Sequence, residues 1–192
     1  MNFNDEIMDL IKESISMKEK MLDLAPIINE IAELIIDAYK NHKKILLFGN
    51  GGSAADAQHI AAEFSGKFFL DRKPLPAMAL HTNTSSLTAI GNDFGYEDVF
   101  RRQVEAFLIP GDVVIGISTS GNSPNVVEAM KFAKKNGGRT VAFVGEKNCK
   151  LDEIAEFSLK IPSTVTPRIQ EGHITAGHII CYLVEKKLFG NA

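Results

Sequence analysis

Cysteine, uninterrupted apolar runs and excess positive charge are all scarce in this 192-residue chain, and each scarcity removes a class of function. No stretch approaches the ~18 consecutive apolar residues of a membrane-spanning helix, so no partnership with a membrane is expected. Lys and Arg total 21 against 24 Asp and Glu, giving a formal charge of −3. Short basic groups such as Lys18–Lys20 read as solvated helix faces, and no nucleic-acid surface is expected. The two cysteines, Cys149 and Cys181, show neither a CxxC spacing nor a dense framework, so both are expected to be reduced thiols. Near the start stand Asp5 and Glu6 rather than a basic segment leading into an apolar run, and the expected location is cytoplasmic.

What is present suits one domain spanning 1–192, since 45% apolar content can fill a sizeable core. From residue 3 to 41, apolar residues recur at three- and four-residue steps: Ile7, Leu10, Ile11, Ile15, then Ile27, Ile28, Ile31, Leu34, Ile35. This predicts a pair of amphipathic helices that turn near Asp23–Pro26, with Pro26 tolerated in a first helical turn. Their stripes exceed what a small core can cover, so the pair is expected to serve oligomerisation. Beyond it the pattern changes. "KILLFG", "AMALHT", "DVVIGIS", "RTVAFVG" and "FSLKIP" are short, nearly continuous apolar runs separated by segments long enough for helices. Parallel strands with crossover helices follow, giving a doubly wound three-layer α/β/α domain whose ligands collect at the carboxyl ends of the strands. A last helix is expected from about Arg168 to Leu188.

Two strand-to-helix turns stand out. "LLFGNGGSAADAQHIAAEF", residues 46–64, completes neither the GxGxxG dinucleotide fingerprint nor a P-loop, which requires a Lys absent here. It remains a tight turn in which small residues let a ligand approach the backbone, with Asn50 and Ser53 as polar groups before a helix start. Ser53 as a simple helix cap is the plain alternative. The second turn, "VVIGISTSGNSPNVVEA", sets Ser118, Thr119, Ser120 and Ser123 around Gly121. Four hydroxyls in six positions exceed what capping requires, and with the backbone amides of a helix start they can hold a phosphate without a lysine.

These turns, with "LTAIGNDFGYEDVF" and "RIQEGHITAGH", resemble the sugar isomerase (SIS) family and, within it, the phosphoheptose isomerases, over nearly the whole chain. The resemblance implies a flavodoxin-like five-stranded parallel sheet, a homotetramer with active sites near subunit interfaces, and a phosphosugar substrate. It implies exchange of D-sedoheptulose 7-phosphate and D-glycero-D-manno-heptose 7-phosphate through an enediol, the first step toward ADP- or GDP-heptose for lipopolysaccharide or capsule. It further implies one zinc ion per subunit on His59, Glu63, Gln170 and His178, with Glu63 as base and His178 as acid. The sugar would meet Asn50, Gly51, Gly52, Ser53, Glu63, Asn92, Asp93 and Gln170; Ser118, Thr119, Ser120 and Ser123 would take the phosphate. Pro167 and Lys67 stand where many members have an acidic residue and an arginine.

The residues themselves allow this. His59 and Glu63 are four apart and share a helix face. Gln170 and His178 are eight apart, ~12 Å of helix rise, so they meet one ion only if Gln170 lies at the start of the helix or the two come from different subunits. His173 is a decoy ligand, and His42 and His81 are expected to be structural. Asn92 and Asp93 could equally be turn residues. A non-enzymatic relative, such as the replication-initiator-associating type, or a phosphosugar-sensing module would not require Glu63 and His178, and this chain has both.

Overall fold

The five apolar runs form five parallel strands in the computed structural model, which describes residues 3–190; the outermost two residues at each end of the expected 1–192 domain lie outside the described residues. In chain order the elements are α1 (Asn4–Lys20), a 3-10 turn (Met21–Leu24), α2 (Ala25–Lys40), β1 (Ile45–Gly49), α3 (Gly52–Ser65), β2 (Ala77–Ala79), α4 (Thr84–Phe94), a second 3-10 turn (Tyr96–Asp98), α5 (Arg101–Phe107), β3 (Val113–Ile117), α6 (Pro124–Lys135), β4 (Arg139–Gly145), α7 (Lys150–Ile154), β5 (Phe157–Ile161) and α8 (Thr166–Phe189). The expected helix break is the first 3-10 turn, and Pro26 sits in the opening turn of α2, where a missing N–H costs nothing.

The sheet order is β2-β1-β3-β4-β5, all parallel. Chain direction across the sheet therefore reverses between β1 and β3, and the crevice above their carboxyl ends is where such folds bind ligands. Alternation along the strands fills two cores. Ile45, Leu47, Val113, Ile115, Ile117, Val141 and Phe143 pack under α2, α3 and α8, while Leu46, Phe48, Val114, Ala142 and Val144 pack under α5, α6 and α7. Both faces are thus covered, as a parallel sheet requires. Each fully buried Leu, Ile or Phe contributes about 1.5–3 kcal/mol by leaving water.

The two N-terminal helices differ. α2 buries Ile28, Ile31, Leu34, Ile35 and Ile36, whereas α1 buries only Met17 and leaves Ile7, Leu10, Ile11 and Ile15 about half exposed (51–55%). α1 is tied to α8 at the polar edge of its stripe, where the Ser14 hydroxyl donates to Glu171 and Arg168 donates to the Leu10 carbonyl. Both cysteines are free thiols, Cys149 half-buried and Cys181 fully buried on α8.

His173 is the decoy that the sequence suggested. It is fully buried on α8, its Nε2 lies 3.2 Å from the Val144 carbonyl, and its Nδ1 has no partner. Burial pushes its pKa down to about 4 against the pull of that carbonyl. The folded state therefore favours the neutral ring: the stability is complete above the unfolded value of 6.5 and is lost as pH falls toward about 4. The full effect is worth about 3 kcal/mol. Urea unfolding followed from pH 7 to pH 4 should show that loss, with a much flatter slope in His173→Gln; an unchanged slope would assign the loss to other groups. His81, shifted down by burial, acts in the same sense.

Candidate active site

β1 ends at Gly49, which is hemmed in: a Cβ there would lie 2.8 Å from the Ile117 carbonyl and from Ser53. Gly51 follows with φ +56°, a left-handed conformation that glycine adopts without strain, and it takes the cap position of α3. Ser53 is not the cap; it is buried inside the first turn. Asn50 is fixed by a reciprocal amide pair, its Nδ2 donating to Asn125 Oδ1 (3.0 Å) and Asn125 Nδ2 donating back to Asn50 Oδ1 (2.9 Å). The Tyr96 hydroxyl also donates to Asn50 Oδ1 (3.3 Å). Asn125 and Tyr96 were missed by sequence reasoning, although Asn125 stands two residues past Ser123 in the same quoted turn.

The hydroxyl nest forms as expected from its spacing. Ser118 Oγ lies 3.0 Å from Ser123 Oγ and 3.4 Å from Ser120 Oγ, and the Gly121 amide donates to Ser118 Oγ. Gly121 has φ +65°, and a Cβ there would approach Cys149 Sγ to 2.1 Å, so no other residue fits. Ser123 occupies the cap position of α6, yet its hydroxyl turns to Ser118 rather than to the helix amides. A cavity of about 290 Å³ opens beside the nest, lined by Thr119, Ser120, Asn122, Lys147, Thr164 and Thr166 among others. Lys147, reached only by the fold of the β4–α7 loop, places a cation at a nest that the sequence had presented as lysine-free.

α3 and α8 pack side by side. His59 Nε2 is 2.9 Å from His178 Nε2 and 3.1 Å from Glu63 Oε1, and one ligand atom from each of the three lies within 4.8 Å of the others. Two imidazole nitrogens and a carboxylate oxygen suit zinc and neighbouring transition metals, so the donor set fits a metal ion. Gln170 faces the same helix from two turns earlier on α8: a Cβ on Gly52 would lie 2.3 Å from its Nε2. Gln170 thus sits in the second turn of its helix and covers the glycine turn within one chain.

Asn92 and Asp93 fall in the last turn of α4, not in a loop; both are exposed, and Asn92 Nδ2 donates to Asp93 Oδ1 (2.8 Å). Asp56 lies one turn before His59 on α3 and was not selected from sequence. One of its carboxylate oxygens is buried without a partner, and burial pushes its pKa up to about 6, with His59 pulling the other way. His42 takes a left-handed conformation (φ 58°) in the turn before β1, and Pro167 fills the first turn of α8; neither has a ligand role in this geometry.

Residues 3–145 match the SIS domain family. The chain belongs to that family. Among its SIS relatives, a phosphoheptose isomerase from Clostridium acetobutylicum is 57% identical over 94% of this chain and 93% of its own length. One from Aneurinibacillus thermoaerophilus is 51% identical over 98% and 96%. The solved phosphoheptose isomerase of Neisseria gonorrhoeae superposes with a TM-score of 0.91 at 41% identity, covering 96% of this chain and all of that one. The doubly wound α/β domain expected from the strand pattern, and the SIS fold that the resemblance implied, is the fold observed.

Proposed function

We propose that this chain is an isomerase that interconverts D-sedoheptulose 7-phosphate and D-glycero-D-manno-heptose 7-phosphate, at the start of ADP- or GDP-heptose synthesis for lipopolysaccharide or capsule. The observation that carries this reading is the meeting of His59, Glu63 and His178 on α3 and α8, in a chain that also has a hydroxyl nest at the start of α6 and is at least half identical to relatives named for that activity.

The residues divide the work by position. Ser118, Thr119, Ser120 and Ser123, with Lys147 at the cavity wall, hold the phosphate and so fix the far end of the sugar. Asn50, Gly51, Gly52 and Ser53 line the chain, with Asn92, Asp93 and Gln170 offered to its hydroxyls. Glu63 takes the proton from one carbon of the hydroxy-carbonyl pair and returns it to the neighbouring carbon. Its Oε1 faces His59, which leaves the other oxygen for that transfer. His178 moves the proton between the two substrate oxygens. His59, Glu63, Gln170 and His178 would hold one zinc ion per subunit, which when bound supplies Lewis-acid polarisation of the substrate oxygens.

The half-exposed apolar stripe of α1 supports a homotetramer, and its junction with α8 at Arg168 and Glu171 supports active sites near subunit interfaces, since Gln170 lies between those two residues. Cytoplasmic location fits a chain in which no helix among the described residues is long and apolar enough to cross a membrane. The non-enzymatic alternatives have no observation in their favour, because both Glu63 and His178 are present and adjoin the same imidazole.

A coupled assay of sedoheptulose 7-phosphate turnover tests the function directly; no turnover by the metal-loaded protein would refute it. Ser120→Ala tests the nest. Losing one charge-assisted hydrogen bond should weaken phosphosugar binding by about 2 kcal/mol, roughly thirtyfold. Unchanged apparent affinity would place the phosphate elsewhere.

A further inference from the structure

The segment between α3 and β2 hides an ion pair that the proposed chemistry does not use. Arg72 and Glu185 each keep only 2% of their side chain exposed, and Arg72 Nε donates to Glu185 Oε2 at 2.7 Å. Every acceptor direction of Glu185 is filled. Oε1 takes the amides of Phe69 (2.7 Å) and Leu70 (2.9 Å), and Oε2 takes the amide of Phe68 (3.1 Å) besides Arg72. The rest of the Arg72 guanidinium reaches the end of α3: Nη2 donates to the Glu63 carbonyl (2.9 Å), and Nη1 to the Phe64 and Lys73 carbonyls (2.9 and 3.0 Å). Carbonyls of a last helical turn have no partner within the helix, and a planar guanidinium can satisfy several at once.

Stability alone does not explain such a pair, since well-packed apolar residues of similar volume often serve as well or better than a buried ion pair. Geometry does. Glu185 lies seven residues beyond His178 on α8, two turns along the same face. The Arg72 contact falls on the backbone of Glu63 itself. Phe68, held by Glu185, sets its ring 5.9 Å from that of His178. One charged pair therefore touches the helix turn that bears the carboxylate, lies on the helix that bears the imidazole, and holds the backbone of the residue whose ring stands beside it.

We propose that Arg72 and Glu185 are positioning residues for the isomerisation, locking the end of α3 that carries Glu63 to the face of α8 that carries His178. This rests on the isomerase reading above. Arg72→Lys and Glu185→Gln keep length and some hydrogen bonding, so both should fold, as circular dichroism and melting would show. Partners behind metal ligands commonly carry 10- to 100-fold effects, so each variant should bind zinc about tenfold more weakly in titrations of the metal-free protein. Each should lose about tenfold or more in kcat, with KM for sedoheptulose 7-phosphate nearly unchanged and the acid limb of the kcat–pH profile displaced. Folded variants with zinc affinity, kcat and pH profile all within twofold of the parent would overturn the proposal and leave the pair a staple of the loop. Parent protein that binds zinc but turns over no sugar phosphate would remove the isomerase reading and with it the role in isomerisation, whereas an active parent with unaffected variants removes the role of the pair alone. Parent protein with neither property would remove both.

Discussion

Glu63→Gln should lower kcat by about 10²- to 10⁴-fold while leaving phosphosugar binding largely intact, because the amide keeps the shape of the carboxylate and loses its basicity. His178→Gln should do the same by removing the group proposed to move the proton between oxygens. Both residues adjoin His59, at 3.1 and 2.9 Å, so each variant also changes the donor set, and elemental analysis has to accompany the kinetics. Loss of rate with metal retained identifies a proton-transfer defect; loss of rate with loss of metal identifies a ligand defect. Full turnover in both variants would remove Glu63 and His178 from the mechanism. Stripping wild type with a chelator completes the set: activity should disappear and return with zinc, and a chelated enzyme at full activity would exclude the metal from the reaction.

The second large effect is expected from a single methyl group. Gly52→Ala sets a Cβ 2.3 Å from the Gln170 amide, and the amide is the mobile end of a flexible side chain, so Gln170 gives way and the backbone stays. Alanine is also the better helix former, so the melting temperature should hold or rise slightly. The site pays instead, since a displacement of about 1 Å in a positioning group can cost 10²-fold in rate. A folded Gly52→Ala protein with kcat/KM within twofold of wild type would show that Gln170 over the glycine turn is packing and nothing more.

Much of this architecture was legible because burial on two faces writes a parallel strand as a continuous apolar run. All five runs became strands, and α8 extends only two residues before and one after the span read from the pattern. The clusters written in local spacing were legible too: His59 and Glu63 at one helical turn, and four hydroxyls around Gly121. What stayed hidden depends on partners far apart in sequence. Asn125 matters because it faces Asn50 across 75 positions, and Arg72 because it meets Glu185 across 113. Asn125 stands in the second quoted turn, but nothing in that turn names its partner, and Arg72 belongs to no short pattern. Ser53 and Ser123 are good capping types at helix starts, yet neither side chain caps: Ser53 is buried within its first turn and the Ser123 hydroxyl turns to Ser118. The periodicity of α1 and α2 was alike, and the fold buries one stripe and leaves the other half exposed, since a stripe specifies an apolar face without naming its cover.

The thiol of Cys181, sealed on α8 three residues past His178, gives the chain an internal clock. Burial raises its pKa, so the reactive thiolate is scarce in the native state, and alkylation must wait for α8 to lift from its neighbours. Cys149 is less enclosed and reacts first, which separates the two signals in time. The slow phase of labelling then counts openings of α8 near His178, in a protein that needs no added probe.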